Sequence, residues 1–224
     1  MIDTNVKHVP LTFKNDMTAE FPEPVLPEGF VFENYKGDEE GKRIWSEILC
    51  TVGFHGGDVE KGIECFNHEF GAKIDLATKR MFFIKAPDGK YVGTCTAWET
   101  PELERGTLHW LGVNPDYQKY GLGRALVEKC LYTFKTQLPG LPAYLSTNTT
   151  CHKAMCLYIK KHFYPVYWHE ESKQQFNEAV EALKGHMREA EYVRFVEEVQ
   201  DDSAKEERFK KMREERERAA QQNN

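Results

Sequence analysis

The densest chemistry in the sequence is one short stretch, Val113-Asn114-Pro115-Asp116-Tyr117-Gln118-Lys119-Tyr120-Gly121-Leu122-Gly123-Arg124. It reads as a strand end, a turn and the first turn of a helix that continues through Leu126, Val127, Cys130, Leu131 and Phe134. A helix N-terminus presents unpaired amide N–H groups at the positive end of the helix dipole, so it can hold an anion. Glycines at 121 and 123 let ligand oxygens reach the backbone, and Lys119 and Arg124 add charge for more than one phosphate group. A diphosphate fits this arrangement. Glycines also end strands and allow close packing, so the glycine pair by itself leaves a purely structural role open. Neither a Gly-x-x-x-x-Gly-Lys-Ser/Thr loop nor the three-glycine dinucleotide fingerprint is present, which disfavours nucleoside triphosphate and NAD sites.

Other reactive side chains form weaker patterns. Cys65-x-x-His68 and Cys151-His152 with Cys156 contain metal-ligand types, but no second pair stands at zinc-site spacing, and no metal is expected. Ser146-Thr147-Asn148-Thr149-Thr150 follows a predicted strand; helix capping and loop formation account for it, and ligand contact by Asn148 is the alternative.

The elements that position these groups follow from hydrophobic spacing. Residues 1–28 read as an extended arm, since Pro22, Pro24 and Pro27 deny helix or central sheet, with a short strand possible from Val6 to Phe13. Phe30 to Tyr35 favours a strand. Asp38 then caps a helix carrying Ile44, Trp45, Ile48, Leu49 and Val52 as far as Gly53, and a second helix starts after Asp58 and ends at Gly71. Met81–Ala86 and Tyr91–Trp98 are two apolar runs around Asp88-Gly89, a hairpin signal. Strands follow at Thr107–Val113, Ala143–Thr147 and Phe163–His169, with a short helix from Ala154 to Lys161. Phe176, Val180, Leu183, Met187, Ala190, Val193, Val196 and Val199 predict one long amphipathic helix over 171–200, and a charged tail occupies 201–224. The order predicts an α+β fold with a mainly antiparallel mixed sheet flanked by helices, its body spanning 29–170.

Composition bounds the partners. The chain has 224 residues, 40% hydrophobic and 29% charged, enough apolar material for a core and too much for a disordered chain. A net charge of −6 argues against nucleic-acid or anionic-membrane binding, and 15 acidic against 11 basic residues fall after His169. No apolar run approaches the roughly 20 residues of a membrane span, and Met1-Ile2-Asp3-Thr4-Asn5 does not open a signal peptide; a cytoplasmic protein with reduced cysteines is expected.

At Gln118-Lys119-Tyr120-Gly121-Leu122-Gly123 the sequence resembles the GCN5-related N-acetyltransferases, whose acyl-CoA motif reads Gln/Arg-x-x-Gly-x-Gly/Ala after a strand and opening a helix. The resemblance runs from about Gly29 to His169 in order of elements. A second mark is a short helix, Asn-x-x-Ala-x-x-x-Tyr followed by Gly-Phe in the family. Here it is Cys151-His152-Lys153-Ala154-Met155-Cys156-Leu157-Tyr158 with His162-Phe163, so Cys151 and His162 depart from the pattern. The resemblance implies a sheet splayed at the acyl-CoA site, between the motif strand and the next. It implies acetyl-CoA as co-substrate, pantetheine pairing along Leu111, Gly112 and Val113, and diphosphate binding by amides from Gln118 to Arg124. It also implies Tyr158 as the general acid that protonates the departing thiolate.

Acetylating an amine directly needs a neutral nucleophile and a proton acceptor titrating near the working pH, a task that suits histidine. His109 lies nine residues before Gln118, and strand alternation puts Thr107, His109, Leu111 and Val113 on one face. His109 is the expected base, with Glu99 and Glu33 as alternatives. The expected activity is transfer of an acyl group, most simply acetyl, to a small-molecule or peptide amine in a ternary complex, with an amide near Leu111 polarising the thioester carbonyl. The alternative is a catalytically silent acyl-CoA-binding or interaction module. The long C-terminal helix either covers the sheet or pairs with its copy, leaving monomer and homodimer open.

Overall fold

Two aspartates start helices where the spacing predicts. Asp38 accepts from the Gly41 amide at 2.8 Å to open α1 (Glu39–Thr51), and Asp58 accepts from the amides of Glu60 and Lys61 to open α2 (Val59–Phe70). This computed structural model describes residues 2–100, 104–205, 207, 210 and 211, so most of the charged tail predicted for 201–224 lies outside the described residues. The described chain forms two compact units, the first built from 15–99 and 105–145, the second from Asp3–Lys14 and 146 onward.

In the first unit the strand order is β2 (Val31–Asn34), β3 (Met81–Lys85), β4 (Tyr91–Thr100), β5 (Arg105–Val113), β6 (Ala143–Asn148), the last three residues of β6 belonging to the second unit. β2 and β3 pair antiparallel, as do β3 and β4 across the predicted hairpin, where Gly89 (φ 87°) turns the chain. β5 and β6 pair in parallel at Gly106 with Ala143 and Thr107 with Tyr144, joined by the crossover helix α4 (Leu122–Gln137). Alternation sorts the core: Phe83 joins Trp45, Ile48, Leu49, Phe66 and Phe70 beneath α1 and α2, while the Phe82 ring lies on the other face, 5.8 Å from Lys129 of α4. Each of these large side chains contributes about 1.5–3 kcal/mol on burial. A helix the periodicity did not reveal, α3 (Ile74–Arg80), follows α2; its seven residues bury only Ala77 and Arg80, too short a stripe to read.

In the second unit the arm supplies a strand. β1 (Pro10–Asn15, its last residue assigned to the first unit) pairs antiparallel with β7 (Tyr164–Tyr167), Thr12 opposite Val166, and two-residue β8 (Gln200–Asp201) pairs parallel with β7. Val6, Val9, Leu11 and Phe13 are buried, so the arm is part of a core. α5 (His152–Lys160) precedes β7. The single helix predicted over 171–200 is instead two, α6 (Glu170–Leu183) and α7 (Glu189–Glu197), because Gly185 takes φ 79°, a conformation no helix continues through. The break also rotates the buried face: Phe195 packs against Phe13 and Phe176, and Val193, predicted to be buried, is exposed.

Candidate active site

The predicted phosphate-binding stretch forms as a loop and helix start within the first unit. Asn114 accepts from the Asp116 amide at 3.0 Å and opens a tight 3-10 turn over Pro115–Tyr120, which ends at Gly121 with φ 75° and ψ 11°. α4 then begins with no side chain capping it, its first bond to the loop being Ala125 N–H to the Gly121 carbonyl at 3.2 Å. The amides before Ala125 are thus the donors a helix N-terminus leaves for an anion. Gly121 is required because its φ lies in the left-handed region. Gln118 reaches back and donates from Nε2 to the Val113 carbonyl at 3.1 Å, bracing strand end to loop. Tyr117 donates to Asp88 at 2.8 Å, and Tyr120 leans on Phe30 at 5.3 Å, so the loop is fastened to the β3–β4 turn and the residue before β2. Gln118, Lys119, Tyr120 and Arg124 are exposed, Gly121 and Gly123 half-buried, and Leu122 is buried, leaving only its backbone for a ligand.

β5 carries the expected base and departs from simple alternation. Trp110 has φ 55°, unusual for a bulky L-residue and costing about 1–3 kcal/mol. Rings of Trp45, Phe54, His55 and His109 surround it at 5.3–5.5 Å and hold it there. The break turns the strand over. A Cβ on Gly106 would meet Phe134 of α4 at 2.7 Å, whereas one on Gly112, six residues on, would meet Leu49 of α1 at 2.9 Å. Thr107 and His109 therefore share the α1/α2 face, while Leu111 and Val113 fall on the α4 face, correcting the expected common face. Gly112 and Val113 are buried and Leu111 half-buried.

His109 Nε2 lies 2.9 Å from Glu69 Oε2 of α2, a partner the sequence reading missed. Burial pushes the imidazole below its ordinary value near 6.5, and the hydrogen bond and charge of Glu69 pull the other way without prevailing. Burial raises the Glu69 carboxyl, but hydrogen bonds and charge from His109 and His68 outweigh it, and it sits below the usual range. The two alternative bases are committed elsewhere: Glu33 accepts from Tyr91 at 2.6 Å and Glu99 from Arg80 at 2.7 Å.

Tyr158 and the Asn148 side chain belong to the second unit. Tyr158 is 6% exposed, on α5, edge-on to Phe163 at 6.1 Å. Asn148 Oδ1 accepts from the Thr150 amide at 3.0 Å and its hydroxyl at 2.5 Å, and Thr149 bonds the Val9 amide at 2.9 Å; capping and loop closure thus occupy this cluster.

Residues 50–163 match the profile of the Acetyltransferase (GNAT) family, half of the chain. The chain belongs to the GNAT acetyltransferases. Solved structures carry the same fold. A GCN5-related N-acetyltransferase from Sphaerobacter thermophilus superposes with a TM-score of 0.52 at 17% identity, over 64% of this chain and 43% of that one. A tandem GNAT protein from the clavulanic acid biosynthesis pathway gives 0.52 at 12% identity, over 72% and 51%. The GNAT chain described here thus spans about half or less of those relatives. No curated protein matches it. GNAT enzymes typically use acetyl-CoA and acetylate amine acceptors. Among the described residues no helix is long and apolar enough to cross a membrane.

Proposed function

We propose that the chain is an acetyl-CoA-dependent N-acetyltransferase that acetylates a primary amine by direct attack in a ternary complex, its transferase lying within residues 29–170. The observation that carries this reading is the uncapped start of α4 behind left-handed Gly121, flanked by exposed Lys119 and Arg124. Its amides receive the CoA diphosphate, with backbone groups of Leu111, Gly112 and Val113 beside the pantetheine arm. An N–H near Leu111, beside the distorted backbone at Trp110, polarises the thioester carbonyl.

His109 takes the proton of the attacking amine, directly or through water. Its lowered pKa keeps it neutral at pH 7, as a base must be. Glu69 accepts from His109 Nε2–H, which leaves Nδ1 to take the proton, and it holds the ring and stabilises the imidazolium that forms. The tetrahedral intermediate then expels the CoA thiolate, and the family resemblance implies Tyr158 as its proton donor. No covalent enzyme intermediate is needed.

Calorimetric titration with acetyl-CoA, followed by thiol release in the presence of a panel of primary amines, tests the proposal. Binding with amine-dependent thiol release is expected. Absence of binding refutes the cradle, and binding without turnover for any amine assigns the chain as a silent acyl-CoA module.

A further inference from the structure

We infer that Asp3, His152 and His186 form a binding site for a divalent transition-metal ion of the zinc type, which fastens the N-terminal segment to α5 and to the connector between α6 and α7. Three segments far apart in sequence meet here: the start of the arm, the first turn of α5 and the connector between α6 and α7. Each brings one metal-ligating atom, and the three atoms lie within 4.8 Å of one another. Two imidazoles and a carboxylate are a donor set that zinc and its neighbours in the first transition row accept, with water completing the shell.

The supports of the ligands argue for a built site. Asp3 is held twice by backbone, its amide donating to the Thr150 carbonyl at 2.9 Å and its Oδ1 accepting from the Asn5 amide at 3.0 Å. Those bonds leave Oδ2 aimed at His152 Nε2, 3.1 Å away. His152 is 6% exposed, an imidazole fixed in a protein interior beside a carboxylate. The His186 ring stands 5.9 Å from it, centroid to centroid, and is exposed, which gives an ion a way in. His186 follows left-handed Gly185, so the break between α6 and α7 is what presents this third ligand. An ion entering between the three replaces the Asp3–His152 hydrogen bond and takes the carboxylate and the two imidazoles as ligands.

The probes are Zn²⁺ for stability and Co²⁺ for spectroscopy, added to untagged full-length protein stripped with EDTA. Zn²⁺ at a hundredfold excess over its dissociation constant is expected to raise the melting temperature by about 5–10 °C. Co²⁺ is expected to give visible d–d absorption. His186→Ala and Asp3→Asn are each expected to weaken binding at least about tenfold and to lose the Co²⁺ spectrum, with the apo proteins still folded by circular dichroism; His186→Gln serves if the alanine variant does not fold. No thermal or spectral response of the wild type overturns the site. A response that survives both substitutions overturns it too, because the ion then binds elsewhere, for example at Cys65 and His68.

Discussion

Replacing Gly121 by alanine separates what the cradle does for the fold from what it does for the ligand. An L-residue held at φ 75° costs about 1–2 kcal/mol, and the reduced freedom of the unfolded chain returns about 0.4–1 kcal/mol, so a net loss near 1 kcal/mol is expected in urea denaturation. Sterics add nothing, because the nearest atom to the new Cβ is Arg124 Nη2 at 3.7 Å, an ordinary contact. The methyl therefore stands in open space beside Arg124 at the start of α4. If that space is where the diphosphate sits, acetyl-CoA affinity measured by calorimetry falls at least tenfold, about 1.4 kcal/mol. Gly121→Asn sharpens the reasoning, since asparagine tolerates the left-handed region: stability should recover while affinity stays low. Gly106→Ala is the opposite control. Its Cβ would press on Phe134 at 2.7 Å inside the core, costing about 1–3 kcal/mol of stability, with affinity nearly unchanged. Gly121→Ala protein that binds acetyl-CoA within twofold of wild type would refute the account.

Four further outcomes are expected. His109→Gln should lower kcat by about 10²–10⁴-fold with acetyl-CoA affinity retained, read by thiol release. The pH profile of kcat/KM should rise on an acid limb below 6.5, the direction in which burial moves His109; Glu69→Gln removes the group that raises this imidazole, so the limb should move to still lower pH while the plateau rate drops. Tyr158→Phe should slow thiol release without weakening acetyl-CoA binding. Stability should fall on acidification, because His109 and Glu69 are among the groups whose folded values lie below their unfolded ones. The depressed His109 loses its contribution as pH drops below 6.5 and the depressed Glu69 as pH drops below 4.5, so urea midpoints at pH 7, 5.5 and 4 should descend in that order.

Much of the architecture was legible because local signals agreed with one another. Asp38 and Asp58 cap the helices they precede, the Asp88-Gly89 turn joins β3 and β4, and Gln118 to Gly123 forms a turn and helix start. The long C-terminal stripe misled because apolar residues kept helical spacing across Gly185, and a periodic pattern carries no penalty for a left-handed residue in its middle. Phe195 shows what decided the second half: it packs with Phe13 and Phe176, contacts set by the tertiary core and not by the stripe.

The region around His109 resisted the sequence for a related reason. Period-two alternation assumes extended residues throughout, and nothing in Leu108-His109-Trp110-Leu111 announces a break, since tryptophan is among the residues least suited to positive φ. Four rings supply the compensation, three of them from α1 and the turn behind it, far away in sequence. Glu69 was closer to being readable. It stands three residues after Phe66 and next to Phe70, at the margin of the apolar stripe that faces the sheet, so a carboxylate there is carried to the strand surface at the edge of the core. The Phe70 ring meets the His109 ring at 6.0 Å, and the same packing that buries the phenylalanine delivers the neighbouring carboxylate to the imidazole. The aromatic core thus does two jobs at β5, holding the strained tryptophan and setting the histidine against its acid.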